Sequence, residues 1–287
     1  MSAGSMVHDM DLRRISNMDD AQFSTNDLPG SQSVDRALRL LALVGREAER
    51  GAQLSDIVEE SGLNKPTARR LLLALMRAGL IEQETRTRRY FLGEEAYVLG
   101  TLASRRHGLL ELSMESLRNL SEITKDTSFV SVRRGNYAVC LHREEGTYPV
   151  RTHALQVGNQ HPLGIGAGSL AMLAALPDDE IGRVLAENRK VLETVYANYT
   201  MELIWQDIAA AREHGYALNP GRIFAGSWGM GIAIMFPDGR VAGALSIAAI
   251  DSRMNAERQP ELARHMKTEV ERVEDKLRRM FLSSGGA

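Results

Sequence analysis

An α+β fold in two parts is predicted by three features of the sequence. Residues 33–79 carry three apolar stripes at helical spacing, each closed near a glycine: Gly45, Gly62 or Gly79. From Ser128 the apolar period falls to two, in Phe129, Val130 and Val132 and again over residues 138–142. Two longer apolar runs, 230–236 and 241–249, flank the turn-forming Pro237-Asp238-Gly239. With 287 residues the chain suffices for about two ordinary domains, and its 44% hydrophobic content is enough to fill their cores.

In chain order, residues 1–30 are polar and rich in aspartate (Asp9, Asp11, Asp19, Asp20, Asp27), and are expected to form a disordered tail. A first helix starts at Gln32 or Ser33, with Val34, Ala37, Leu38, Leu40, Leu41 and Val44 as its stripe. A second follows Leu54, where the Ser55 hydroxyl suits the free N–H groups of a helix start and is also a candidate DNA contact, and Gly62 breaks it. A third opens at the capping residue Asn64, tolerates Pro66 in its first turn, and runs to about Ala78. Leu80-Ile81 and Tyr90-Phe91-Leu92 read as short strands around a charged hairpin tip. Helices followed by such a hairpin make the order of a winged helix-turn-helix, which residues 31–93 would form.

A linker helix over residues 94–108 carries Tyr97, Val98, Leu99 and Leu102 as its stripe. The second domain, 109–287, opens with a helix to about Thr124 and continues into the period-two strands. A glycine run at Gly164 leads into an apolar helix ending near Leu176, and further helices are expected over 201–214 and about 257–282. This is a mixed domain around an antiparallel sheet, with flanking helices.

Net charge is −2, so nucleic-acid binding would need a local patch rather than bulk charge. Such a patch is present. Residues 65–89 hold seven cations (Lys65, Arg69, Arg70, Arg77, Arg86, Arg88, Arg89) against Glu82 and Glu84, a local excess of five. On a wheel of the third helix, Ala68, Leu71, Leu72 and Leu75 share the core face. Pro66, Arg69 and Arg70 point away, flanked by Lys65 and Thr67. That outward start is where a recognition helix meets double-stranded DNA, arginine reading guanine and lysine or threonine reaching phosphate or base edges. Arg86, Arg88 and Arg89 lie on the wing, placed for phosphates or a minor groove.

Other classes find little support. The single cysteine, Cys140, makes neither an internal disulfide nor a cysteine zinc site, and no run approaches the ~18 apolar residues of a membrane helix. The start lacks the apolar core of a signal peptide, so a soluble, cytoplasmic protein is expected. The seven histidines show no HExxH or paired spacing, so no metal or cofactor is expected, although His142 and His153 could meet in the fold. Gly164, Gly166 and Gly168 lack the βαβ context of a dinucleotide loop. Ala225-Gly226-Ser227-Trp228-Gly229 is close to a nucleophile elbow, which leaves a serine hydrolase using Ser227 as an alternative. An elbow, however, needs a helix after the serine, and here an apolar strand follows. A second alternative is an architectural DNA-binding protein whose second domain only oligomerises.

Several segments resemble the IclR family of bacterial transcription regulators over about Ser33 to Phe281. They are Ser33-Val34-Asp35-Arg36-Ala37-Leu38-Arg39-Leu40-Leu41, then Gly62-Leu63-Asn64-Lys65-Pro66-Thr67-Ala68-Arg69-Arg70-Leu71-Leu72, and Arg89-Tyr90-Phe91-Leu92-Gly93. In the second half they are Gly166-Ala167-Gly168, His214-Gly215-Tyr216-Ala217 and Ala244-Leu245-Ser246-Ile247. The resemblance implies a GAF-like effector domain and a homodimer formed through the N-terminal and linker regions, often paired into a dimer of dimers. It also implies palindromic promoter DNA as target and a small organic acid or aromatic metabolite as effector, with repression or activation as the outcome.

Gly166-Ala167-Gly168 precedes a helix, where free N–H groups and close backbone approach suit a carboxylate. By resemblance, Asn219, Ser227, Trp228, Gly229, Ser246 and Ala248 take the family's other pocket positions. The serines would bond a carboxylate or carbonyl, and Trp228 would wall an apolar ligand. His153 and Arg151, read as lying on one strand, would pair with an acid or serve on the surface. Where the family usually has His-Ala before the Gly-Ala segment, this chain has Gly164-Ile165, and Asn219-Pro220-Gly221-Arg222 replaces an acidic run. A less acidic, more apolar pocket is therefore expected.

Overall fold

The computed structural model describes residues 32–48, 50–150 and 155–284, without the side chains of 104–107 and 283–284. The chain divides after Gly108 into two compact units. The first holds α1 (Gln32–Arg46), α2 (Leu54–Ser61), α3 (Lys65–Arg77), β1 (Ile81–Gln83), β2 (Tyr90–Leu92) and α4 (Glu94–His107). Its core is built from Leu40 and Val44 of α1, Ile57 of α2, Ala68, Leu71, Leu72 and Leu75 of α3, and Ile81 and Tyr90 of the hairpin. Gly62, at φ 64°, takes the left-handed backbone that turns the chain from α2 into α3. Asn64 then caps α3, its Oδ1 accepting from the Thr67 N–H at 2.9 Å. The hairpin is antiparallel, pairing Ile81 with Leu92 and Gln83 with Tyr90.

Two local expectations need correction. Gln53, not Ser55, occupies the cap position of α2, and it makes no side-chain cap bond. Leu54 packs against the core and is drawn into the helix, so Ser55 lies in the first turn, its hydroxyl bonding Asp56 at 3.0 Å. On α1 the buried face is Leu40, Leu43 and Val44, while Val34 and Leu38 are exposed.

The second unit comprises α5 (Leu109–Thr124), β3 (Thr127–Arg134), β4 (Tyr137–Glu144), β5 (Gln160–Pro162), α6 (Ala167–Ala174), α7 (Asp178–Val195), α8 (Met201–His214), β6 (Ala217–Pro220), β7 (Ser227–Met235), β8 (Val241–Ile250) and α9 (Gln259–Ser284). Its strands form one antiparallel sheet in the order β5-β4-β3-β8-β7-β6. One face is covered by α5 and α9, through Leu117, Leu120, Val130, Met230, Leu245, Met266 and Val273. The other receives α6 over β7 and β8, with α8 packed on α6 and α7 against β5. The approach of α6 is close. A Cβ on Gly231 would lie 2.5 Å from the Ala167 carbonyl oxygen, so only glycine fits there. Helix α7 and the short strands β5 and β6 are not among the sequence expectations above.

Candidate functional site

Two groups of predicted residues are assembled, one in each unit. In the first, α3 buries Ala68, Leu71, Leu72 and Leu75 and leaves Lys65, Pro66, Arg69 and Arg70 exposed, with Thr67 half-buried. The first two turns of α3 therefore offer cations on an open helix start. On the wing, Arg86 and Arg88 are exposed, and Arg88 has a left-handed backbone at φ 61°. The tip is fastened by the Thr87 hydroxyl on Glu84 and by Gln83 donating to the Arg88 carbonyl at 2.8 Å. Arg89 has another task. Its guanidinium donates to the Gly51 carbonyl at 2.8 Å and to that of Arg50 at 3.2 Å, tying the wing to the α1–α2 connection.

In the second unit the β-period sorts residues into a cavity between the sheet and α6. Gly229 pairs with Ala248 and Gly231 with Ser246, while Ser246 also pairs with Phe129. These positions share the pleat facing α6. Gly166, Ala167, Gly168, Asn219, Ser227, Trp228, Gly229, Ser246 and Ala248 all border one cavity of about 70 Å³, room for several water-sized groups. Trp228 stands on the alternate pleat and also packs against the α5–α9 core. His153 and Arg151 lie outside the described residues. The cavity is further bordered by Phe129, Ser131, Ala138, Cys140, Leu155, His161, Ile165, Ser169, Ile223 and Ile247, which sequence reasoning missed. The alternation of Phe129 with Ser131, and of Ala138 with Cys140, was the available signal. Which face would meet α6 was not.

The cavity is polar at points, and its lining among the described residues includes no Asp, Glu, Lys or Arg. Gly166, at φ 83°, precedes α6 without a side-chain cap. Ser246 is only 7% exposed, its hydroxyl has no hydrogen-bond partner among the described residues, and Oγ lies 3.2 Å from where a Gly168 Cβ would stand. Ser169 is occupied, donating to the Pro162 carbonyl at 3.0 Å and accepting from the Gly164 N–H at 3.1 Å. The Tyr199 hydroxyl donates to Asn219 Oδ1 at 2.9 Å, and burial raises its pKa. Burial also pushes the Cys140 thiol up to about 12 and the His161 imidazole down to about 4. Arg222, next in sequence to the lining residue Ile223, is engaged by Asp207 in a two-pronged ion pair, with Nη2 3.0 Å from Oδ1. At the opposite end of α6, Arg212 donates to the Ala174 and Leu176 carbonyls, both at 2.8 Å. The helix dipole is thus balanced at its C-terminus and open at the cavity.

Two further expectations can be placed. Ser227 opens β7 and is followed by strand, so a strand–turn–helix elbow is not formed there. His142 lies 3.2 Å from the Glu144 carboxylate, and among the described residues no three His, Cys, Asp or Glu side chains cluster as a metal site. No described helix is long and apolar enough to cross a membrane.

Comparison with known proteins agrees with this architecture. Residues 101–274 match the family model described as bacterial transcriptional regulator IclR, C-terminal, and residues 33–85 match the IclR helix-turn-helix domain. The chain is 28% identical over 249 residues to the HTH-type transcriptional regulator BhcR of Paracoccus denitrificans, covering 81% of this chain and 87% of that one. The structure of an IclR transcriptional regulator from Silicibacter sp. TM1040 superposes with a TM-score of 0.71 at 26% identity, covering 86% of this chain and 96% of that one. One from Alicyclobacillus acidocaldarius gives 0.72 at 25% identity, covering 86% and 98%.

Proposed function

Since this chain belongs to the IclR family of transcriptional regulators, with a helix-turn-helix DNA-binding domain and a C-terminal effector-binding domain, we propose that it is a ligand-responsive regulator of palindromic promoter DNA whose effector is a small organic acid. The observation that carries the DNA half is the open start of α3, where Lys65, Arg69 and Arg70 are exposed and Ala68, Leu71, Leu72 and Leu75 are buried. Arg86 and Arg88 on the wing would add phosphate contacts. Palindromic sites require a homodimer, and the exposed stripe of α4 supports one: Tyr97 is 75% exposed and Leu102 60%.

The effector half rests on the cavity at the start of α6. Backbone N–H groups there and the unpartnered Ser246 hydroxyl suit a carboxylate. Binding would shift operator affinity by the acid's differential affinity for two subunit arrangements. Fluorescence anisotropy on DNA from the region upstream of this gene tests the reading. Arg70→Ala should weaken specific binding by about 1–3 kcal/mol if Arg70 reads a base. Equal affinity of wild type and variant for every upstream fragment would count against Arg70 as a DNA-reading residue.

A further inference from the structure

The cavity has a second polar end, across the sheet from Ser246. Sheet order puts His161 on β5 and Ser246 on β8, three strand spacings apart, roughly 14 Å in a flat sheet and less in a curled one. The lining also includes apolar Phe129, Ala138, Leu155 and Ile165, and no Asp, Glu, Lys or Arg among the described residues. His161 is held in place by Tyr196: its Nδ1 lies 3.0 Å from the Tyr196 hydroxyl, and the two rings meet edge-on at 6.1 Å. Tyr196 in turn meets Tyr199 edge-on at 6.3 Å, and Tyr199 bonds Asn219 on the opposite sheet edge. With Nδ1 engaged, Nε2 is the ring nitrogen left to bond something else.

We infer that His161, oriented by Tyr196, recognises an uncharged polar group at the far end of the effector, so that the ligand is an acid ending in a hydroxyl or carbonyl. This rests on the cavity being the effector site. A hydroxyl both donates and accepts, and so satisfies either tautomer of the ring. A methyl end leaves a buried nitrogen unpaired. A second carboxylate or an ammonium would be buried without an opposite charge among the described lining residues. Because burial keeps His161 neutral near pH 7, it does not supply that charge.

The test is calorimetric titration of the full chain with three six-carbon acids, hexanoate, 6-hydroxyhexanoate and adipate, and with their four-carbon counterparts. Wild type is expected to bind the hydroxy acid about fivefold more tightly than the unsubstituted acid, the scale of one net neutral hydrogen bond, and the diacid most weakly. His161→Phe and Tyr196→Phe should remove that preference, read as the ratio of the two affinities within each variant. A preference that survives both substitutions overturns the role of His161 and leaves the effector cavity standing. So does a diacid that binds as tightly as the hydroxy acid. Failure of every acid to bind overturns the cavity reading and this inference together. If His161→Phe does not fold, the ¹⁵N resonances of the wild-type His161 ring decide. They should move with the hydroxy acid and stay with the unsubstituted one, and identical responses to the two count against the inference.

Discussion

At the scale of single residues, burial decides what His161 and Gly231 do. An imidazole with a pKa of about 4 when folded and about 6.5 when unfolded takes up protons on unfolding. The unfolded state therefore binds more protons between those values, and stability rises with pH from about 4 to 6.5. The buried ring should account for roughly 3 kcal/mol of stability that is present above pH 6.5 and lost as pH falls to 4. Urea melts across that range should show a shallower pH slope in His161→Phe, and an unchanged slope would assign the pH dependence to other groups. Gly231→Ala drives a methyl into the backbone of Ala167 and Gly168. It should cost about 1–3 kcal/mol by overpacking, read as a lower denaturant midpoint.

Among the elements, α3 and α6 show how end chemistry places functional groups. The start of α3 is organised by one side-chain bond, from the Thr67 N–H to Asn64, and by Gly62 before it. Asn64→Ala should lower the stability of the first unit by about 1 kcal/mol. It should also weaken DNA binding while every cation stays in place, measurable by denaturation and anisotropy on one sample. Intact DNA affinity in a measurably destabilised variant would separate the cap from recognition. Helix α6 is arranged in the opposite sense. Its C-terminal carbonyls are held by Arg212, and its start is left to the cavity. Helix α7 was legible and went unread: Pro177 and Asp178 open it, and Ile181, Val184, Leu185 and Leu192 repeat at helical spacing.

For the whole molecule, the proposed reading of a two-fold operator calls for a pair of chains. The apolar stripe of α4 finds no cover in its own unit, with Tyr97, Val98, Leu99 and Leu102 all exposed. Leu102→Glu should therefore convert a dimer to a monomer in sedimentation velocity and lower affinity for a two-fold operator well below that for a half-site. A dimer that persists at micromolar concentration would move the interface elsewhere.

What was legible in the sequence were the features carried by local periodicity and end chemistry. The helix-turn-helix order, the outward cations of α3, the long antiparallel pair β7 and β8, and the glycine-led start of α6 depend on residues within a turn or a strand of one another. Tertiary structure alone decided which strand face meets α6. It therefore decided that Phe129, Ser131, Cys140 and His161, distant in sequence from Ser246, line the same cavity. It also decided that Arg89 serves the fold by holding two carbonyls and that Arg222 is neutralised by Asp207. The physical reason is the same in each case: a strand presents alternate residues to opposite faces, and a long side chain takes whichever partner lies nearest. Both outcomes depend on sheet order and packing, which no local pattern encodes.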